Sequence, residues 1–481
     1  MKKLICMLLI ACMVAISMGT VVMATGENLE VWDGTMEAPE GSGTEASPYL
    51  IANGKNLAWI SNKVNTEQTA ASGKQLTIYS KLTNHIVMNH PFTINNDYSV
   101  TSSVSGETVR EFTPIGRLTA NNSASKYFPY VGVFDGNGYE IRNLYINSDT
   151  YVGLFRAFEG TLKNLTIASG LIKSTGNYAG AFAGSILQHG GYNNTTIVEG
   201  CCNKATVRGG DDYASGIVGL AGYGSASSTK SLTIKNCVNE GKVVANSQYV
   251  GGLIGLSKFN WHIDNCLNKG ELKAASYTGG FVGQVNNTFN ISNSLNVYVL
   301  EGSHVYAMAG KGPAMSSAIN INNTYSISNG DSANKIWYKD STADITYTGW
   351  TYSTAADLAT IDMAYTLNDN TSGETYANSG AWTFNTGDAY PTLADSVNGG
   401  VYKLEIKNGS DVLNTGDTYV KSTTGTAQLI ASANYGTSAV VTPVNLKTTK
   451  LANVTLGTNW KVMLWDSFDT LKPLRGAIVA Q

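Results

Sequence analysis

NCVNEGKVVANSQYVGGLIG (residues 236–255) is followed closely by a near copy of itself, NCLNKGELKAASYTGGFVG (residues 265–283). The closing phrase occurs five times: YVGLF from Tyr151, YAGAFAG from Tyr178, YASGIVG from Tyr213, YVGGLIG from Tyr249 and YTGGFVG from Tyr277. Successive copies lie 27, 35, 36 and 28 residues apart. Self-similarity at such a period marks stacked supersecondary units that cannot bury an apolar face singly. The opening phrase recurs out of step with the first, as IRNLYI from Ile141, LKNLTI from Leu162, VEGCCNKA from Val198, IKNCVNEG from Ile234, IDNCLNKG from Ile263, ISNSLN from Ile291 and INNTYS from Ile321. Between the two phrases, runs such as KVVA and ELKAA alternate apolar and polar residues with the period of a strand. Three short strands and three bends per repeat are predicted. Stacked as a parallel β-helix, they place like residue on like about 4.8 Å apart.

Alignment of the opening phrase puts Asn143, Asn164, Asn236, Asn265, Asn293 and Asn323 in one file, with Gly200 as the exception. Beside it run Cys201, Cys237 and Cys266, and farther along Asn203, Asn239, Asn268 and Asn296. The first asparagine file is expected to bridge its amides from coil to coil at an inward bend, because a buried amide needs a partner. The cysteines read as small apolar core residues. Disulfides are the alternative in an exported chain, although no C-x-x-C pair exists.

These phrases, with FDGNGYEIRNLYI from Phe134, EFTPIGRLTA from Glu111, the Trp32-Asp33-Gly34 triplet and GSGTEASPYLI from Gly41, resemble the GLUG-repeat segments of bacterial surface proteins. Those proteins include adhesins and the non-catalytic part of some immunoglobulin A1 proteases. The resemblance spans roughly residues 30 to 395. It implies a right-handed parallel β-helix and surface exposure, and it leaves function open because one scaffold hosts several roles.

Lys2 and Lys3 precede an uncharged apolar run, and Val22 and Ala24 occupy small-residue positions, so residues 1–24 are expected to be a cleaved export signal. LIAC, ending at Cys12, is the rival lipoprotein reading. Export places the chain outside the cell, secreted or on the cell surface, with no membrane insertion after cleavage. Only 14% of the 481 residues are charged, Gly reaches 51 and Tyr 26, and net charge is −3. Acids and bases are interspersed, so no basic stripe follows a phosphate backbone and nucleic acid is excluded as a partner.

Residues 25–110 are expected to cap the solenoid and form its first coils, through GKNLAWISNKVN, whose Leu57, Ile60 and Val64 share a face. Residues 111–330 are the repeats. Residues 331–398, with Leu358, Ile361, Tyr365 and Leu367 at near-helical spacing, are expected to close the last coil. Residues 399–481 alternate as short strands, which predicts a small β-sandwich. The ending KVMLWDSFDTLKPLRGAIV resembles the immunoglobulin-like terminal modules of clostridial and related Firmicute exported proteins.

Catalytic motifs are absent: no H-E-x-x-H, no G-x-S-x-G, and five scattered histidines. No cofactor or metal is called for. Asp211-Asp212 reads as a bend rather than an acid pair, since neighbours on a strand face opposite ways. Asp135-Gly136-Asn137-Gly138 reads as a tight turn rather than a calcium loop. Loops of unequal length leave one bend of each coil, and Tyr192, Tyr223, Phe259, Trp261 and Phe289 are expected to cluster there as a sugar-stacking edge. The alternative is that the larger rings fold back over the core. The reading is a non-catalytic adhesin or binder of polysaccharide or host glycoprotein; a polysaccharide lyase or hydrolase and a structural spacer are the alternatives.

Overall fold

The structure is a computed structural model. It describes residues 29–479 except 69–75, 119–126, 188–194, 223–230, 259, 287–288, 298–300, 313–318, 328–336, 339–348, 370–375, 415–417, 434–438, 457–458 and 468–471. The export signal, Tyr192, Tyr223 and Phe259 lie outside the described residues.

One repeat shows how the chain turns. Thr195–Glu199, Cys202–Asn203, Thr206–Gly209, Ala214–Ser215 and Val218–Ala221 form successive strands, and Ser231–Lys235 then lies beside the first of them. Each strand pairs in parallel with its counterpart one coil on, so the fold is a parallel β-helix. A coil has five strands rather than the predicted three, because two-residue strands at the corners carry too little alternation to be seen in sequence. One coil earlier a single strand, Phe155–Lys163, lies beside both Ala183–Ile186 and Thr195–Glu199, which are separate strands.

The bend after the opening strand explains the first asparagine file. Asn143, Asn164, Asn236, Asn265, Asn293 and Asn323 all have φ between +46° and +55°, and Gly200, the exception, has φ +61°. This is the left-handed region, which asparagine tolerates and glycine enters without steric cost. The file is therefore a backbone requirement. Within it a direct amide contact joins Asn323 Nδ2 to Asn293 Oδ1 at 2.9 Å, whereas Asn164 and Asn265 donate to Asp135 and Asp264.

The coil-to-coil ladder expected there runs three residues farther along. Asn203 Nδ2 donates to Asn239 Oδ1 (2.9 Å), Asn239 to Asn268 (2.9 Å) and Asn268 to Asn296 (2.7 Å), and Asn296 donates to Ser326 Oγ (3.0 Å). All five side chains are at most 1% exposed. Around them the core is stacked aliphatic and aromatic residues, with Cys201, Cys237 and Cys266 among them as free thiols. Each of these thiols donates to a backbone carbonyl two residues earlier, at 3.4, 3.2 and 3.3 Å.

Outside, charges alternate from coil to coil. One file reads Asp135, Lys163, Glu199, Lys235, Asp264, with contacts of 3.3 Å from Lys163 to Asp135 and 2.9 Å from Lys235 to Glu199. Glu240 similarly sits between Lys204 and Lys269, at 4.0 and 3.0 Å. Exposed pairs of this kind contribute little stability each. Their effect is to disfavour pairing that skips a coil, which would oppose like charges.

The helix Gly54–Glu67, capped by Asn53 Oδ1 on the Asn56 amide at 3.0 Å, buries Leu57, Ile60 and Val64 in the main core. The helix Ile361–Asn368 and the hairpin around Trp382 pack on the flank, against the outward residues Leu267 and Leu295 and, farther along the solenoid, Tyr325 and Ile327. Trp382 Nε1 donates to Asn293 O at 3.1 Å. That flank file reads Thr166, Cys202, Val238, Leu267, Leu295, Tyr325, and it turns apolar where the segment covers it. Beyond it, strands from Gly400–Lys403 to Trp460–Trp465 close around Leu404, Ile406, Val420, Leu429, Val462 and Leu464 as a small sandwich. Among the described residues no helix is long and apolar enough to cross a membrane.

Two outcomes follow. Asn239→Ala and Asn268→Ala should each cost about 1–3 kcal/mol, because each strands a buried partner amide, whereas Asn236→Gly should change stability by under about 0.5 kcal/mol; equal shifts in urea midpoint for all three would refute this division. In the native protein Cys201, Cys237 and Cys266 should resist alkylation and react only on unfolding, and detection by mass spectrometry of a disulfide joining any two would refute their packing role.

Candidate functional site

Two of the five residues expected at the aromatic loop edge, Trp261 and Phe289, do not lie on it. Trp261 and Phe289 are 1% and 0% exposed, lie in the strands Trp261–Asp264 and Phe289–Ser292, and stack face to face at 4.6 Å inside the core. Register pairs them with Leu232, one coil earlier. They fill an inward position that coils of the solenoid share, and no ligand reaches them.

Another aromatic file, missed in the sequence, runs along the outside. Tyr151, Tyr178, Tyr213, Tyr249, Tyr277 and His304 stack with centroids 5.0, 5.1, 4.9, 5.2 and 4.9 Å apart. The tyrosines are the first residue of each repeat phrase, so the signal was in view. Tyr151, Tyr178 and Tyr213 hold φ of +54°, +64° and +63°, a conformation that costs a bulky residue on the order of 1–3 kcal/mol. The stack offsets this by covering Leu187, Leu220 and Leu256, and the Tyr213 hydroxyl donates to Gln284 Oε1 at 2.9 Å. Sugar stacking requires a free ring face, and here the faces are spent on one another. Burial, reinforced by Tyr151 and Asp212, pushes the Tyr178 phenol up to about 12.

The acidic candidates are structural. Asp212 Oδ1 accepts from the Gln248 amide at 2.9 Å. Asp135 Oδ1 accepts from the Asn137 amide at 2.8 Å, and Asn137 and Gly138 hold φ of +53° and +80°, as a tight turn demands. Among the described residues no three His, Cys, Asp or Glu side chains are placed to hold a metal.

A cleft of about 570 Å³ opens where the flank of the solenoid meets the C-terminal segment, within the ~300–1,000 Å³ typical of ligand sites. The solenoid contributes Asn164, Glu199, Gly200, Asn236 and Asn265, and the segment contributes Ser379, Ala381, Leu393 and Asp395. The cleft sits where Gly200 leaves the left-handed file without a side chain. Asn236 Oδ1 and Asn265 Oδ1 are buried and have no hydrogen-bond partner among the described residues. Glu199 Oε1 is 2.9 Å from Lys235 Nζ. Asp395 Oδ1 accepts from the Val397 and Asn398 amides at 2.7 and 2.6 Å; burial raises its pKa, but these bonds outweigh it and hold the carboxyl below its usual range. Cys202 also lines the cleft, its thiol pushed up to about 12 by burial, so it is no nucleophile at neutral pH.

No family model and no curated protein matches the chain. Among solved structures it is similar to the crystal structure of a "putative immunoglobulin A1 protease" from Bacteroides ovatus. The TM-score is 0.50 and the identity 19%, over 73% of this chain and 94% of that one. Likeness at that identity shows a shared fold.

Deprotonating Tyr178 in the folded state is disfavoured relative to the unfolded chain, so its contribution should be intact below about pH 10, the ordinary tyrosine value, and lost as pH rises through about 12. Thermal midpoints measured across that window should fall less for Tyr178→Phe than for the unaltered chain; parallel decline in the two would refute the assignment.

Proposed function

We propose that this is an exported surface protein that recognises a polysaccharide or glycoprotein without modifying it, through the cleft on the solenoid flank. The observation that carries the reading is the surplus of acceptors in the cleft: two unpartnered amide oxygens, Asn236 Oδ1 and Asn265 Oδ1, beside Glu199 and Asp395. An unmatched buried acceptor is costly, and a ligand rich in hydroxyl donors removes that cost. The apolar run at residues 4–23 and the resemblance to GLUG-repeat surface proteins support export. The terminal sandwich fits a spacer or anchoring module.

The enzymatic alternative rests on Glu199 and Asp395 sharing one cleft. Glycoside hydrolysis needs one carboxyl held protonated to assist the leaving group. Asp395 is held ionised by its amide bonds, so it does not supply that proton, and Glu199 Oε1 is engaged by Lys235 at 2.9 Å. Purified mature chain on glycan and matrix-protein arrays should bind with dissociation constants on the order of micromolar or weaker, because an open cleft buries little area. Product release from a bound polysaccharide would establish the enzymatic reading in its place, and binding to matrix protein stripped of its glycans would exclude glycan recognition.

A further inference from the structure

We infer that the cleft selects a glycan bearing a free amine, an amino sugar unit, and rejects acidic glycans. The inference rests on the cleft being the recognition site.

Lining charge points one way. Glu199 and Asp395 line the cleft, and no Lys, Arg or His does. Two further carboxylates lie just behind it: Asp135 accepts from Asn164 Nδ2 at 3.5 Å and Asp264 from Asn265 Nδ2 at 3.0 Å. The bases nearby are Lys163 and Lys235, paired with Asp135 and Glu199, and Lys204 and Lys269, which share Glu240 beside Cys202. Five carboxylates face four ammonium groups, which leaves the neighbourhood net negative by one. A cation is attracted there, and a carboxylate-bearing sugar is repelled.

Acceptors point the same way. Asn265 is 6% exposed, and its Oδ1 has no partner among the described residues. Asn236 Oδ1 is likewise unpartnered. An ammonium group brings three donors and no acceptor, so it suits a pocket in which two amide oxygens lack donors and the lining carboxylates carry negative charge. A neutral N-acetyl group brings one donor and an added acceptor, and fits less well.

Gly200 makes the cleft and supplies the means to close it. Its φ of +61° is already that of six asparagines in the same file, so asparagine fits there by backbone. A Cβ at this position would come 2.8 Å from Asn164 Oδ1, the end of a side chain that can swing. Gly200→Asn therefore fills the notch with little strain. Asp395→Asn removes the charge and keeps an oxygen to accept the Val397 and Asn398 amides.

The test titrates the full mature chain with three probes of equal length: a glucosamine oligosaccharide, its N-acetylated form and a uronic acid oligosaccharide. The amine form should bind at least about tenfold more tightly than the N-acetylated form, the scale of one charge-assisted hydrogen bond, with affinity falling as salt rises. The acidic form should not bind. Gly200→Asn and Asp395→Asn should each weaken amine binding about tenfold or more at an unchanged thermal midpoint. Equal affinity for amine and N-acetyl forms, or preference for the acidic one, overturns the inference and leaves the cleft as the glycan site. Unchanged binding by Gly200→Asn, or no binding of any probe, overturns the cleft itself.

Discussion

The buried amide ladder from Asn203 to Asn296 sets the register on which every other file depends. Asn239 and Asn268 each donate forward at 2.7–2.9 Å and accept from behind, so neither can move without leaving two groups unpaired. A slip by one residue would also turn each inward side chain outward. Van der Waals packing alone does not impose this precision, because stacked valines and isoleucines tolerate small sliding. With register held, the thiols fall on thiols, the tyrosine rings meet at about 5 Å, and opposite charges oppose each other.

Much of this was legible in the repeated phrases, since a parallel stack converts sequence alignment directly into spatial proximity. The left-handed asparagine file was found but misread: its spacing fixed the bend, while side-chain direction at a bend depends on φ, which spacing does not carry. Trp261 and Phe289 were placed in loops because loop length varies just before them. Counting back two residues from Ile263 and Ile291 puts them in line with Leu232, an inward position, so that error was avoidable. The flank packing of Leu358, Leu367 and Trp382 was signalled by the outward file changing from Thr166 and Cys202 to Val238, Leu267 and Leu295, a change of character rather than a motif.

The candidate site was the least legible part, for a physical reason. A repeat generates surfaces whose groups satisfy one another: rings cover rings, amides bond amides and charges pair. Unsatisfied chemistry gathers where repetition fails. Gly200 is one such failure, and the non-repeating segment that ends in Asp395 closes over it. Neither is visible until the coils and the C-terminal segment are placed together.

The alternating charge files also constrain how this gene can lengthen or shorten. Removing one coil, the simplest product of unequal recombination between repeats, would set Lys163 against Lys235 or Lys204 against Lys269. Loss of two coils restores opposite signs. The tyrosines from Tyr151 to Tyr277 and the inner asparagines from Asn203 to Asn296, the same residue in each coil, are indifferent to the number. Loss of an even number of coils therefore keeps opposite charges side by side in these files, and loss of an odd number does not.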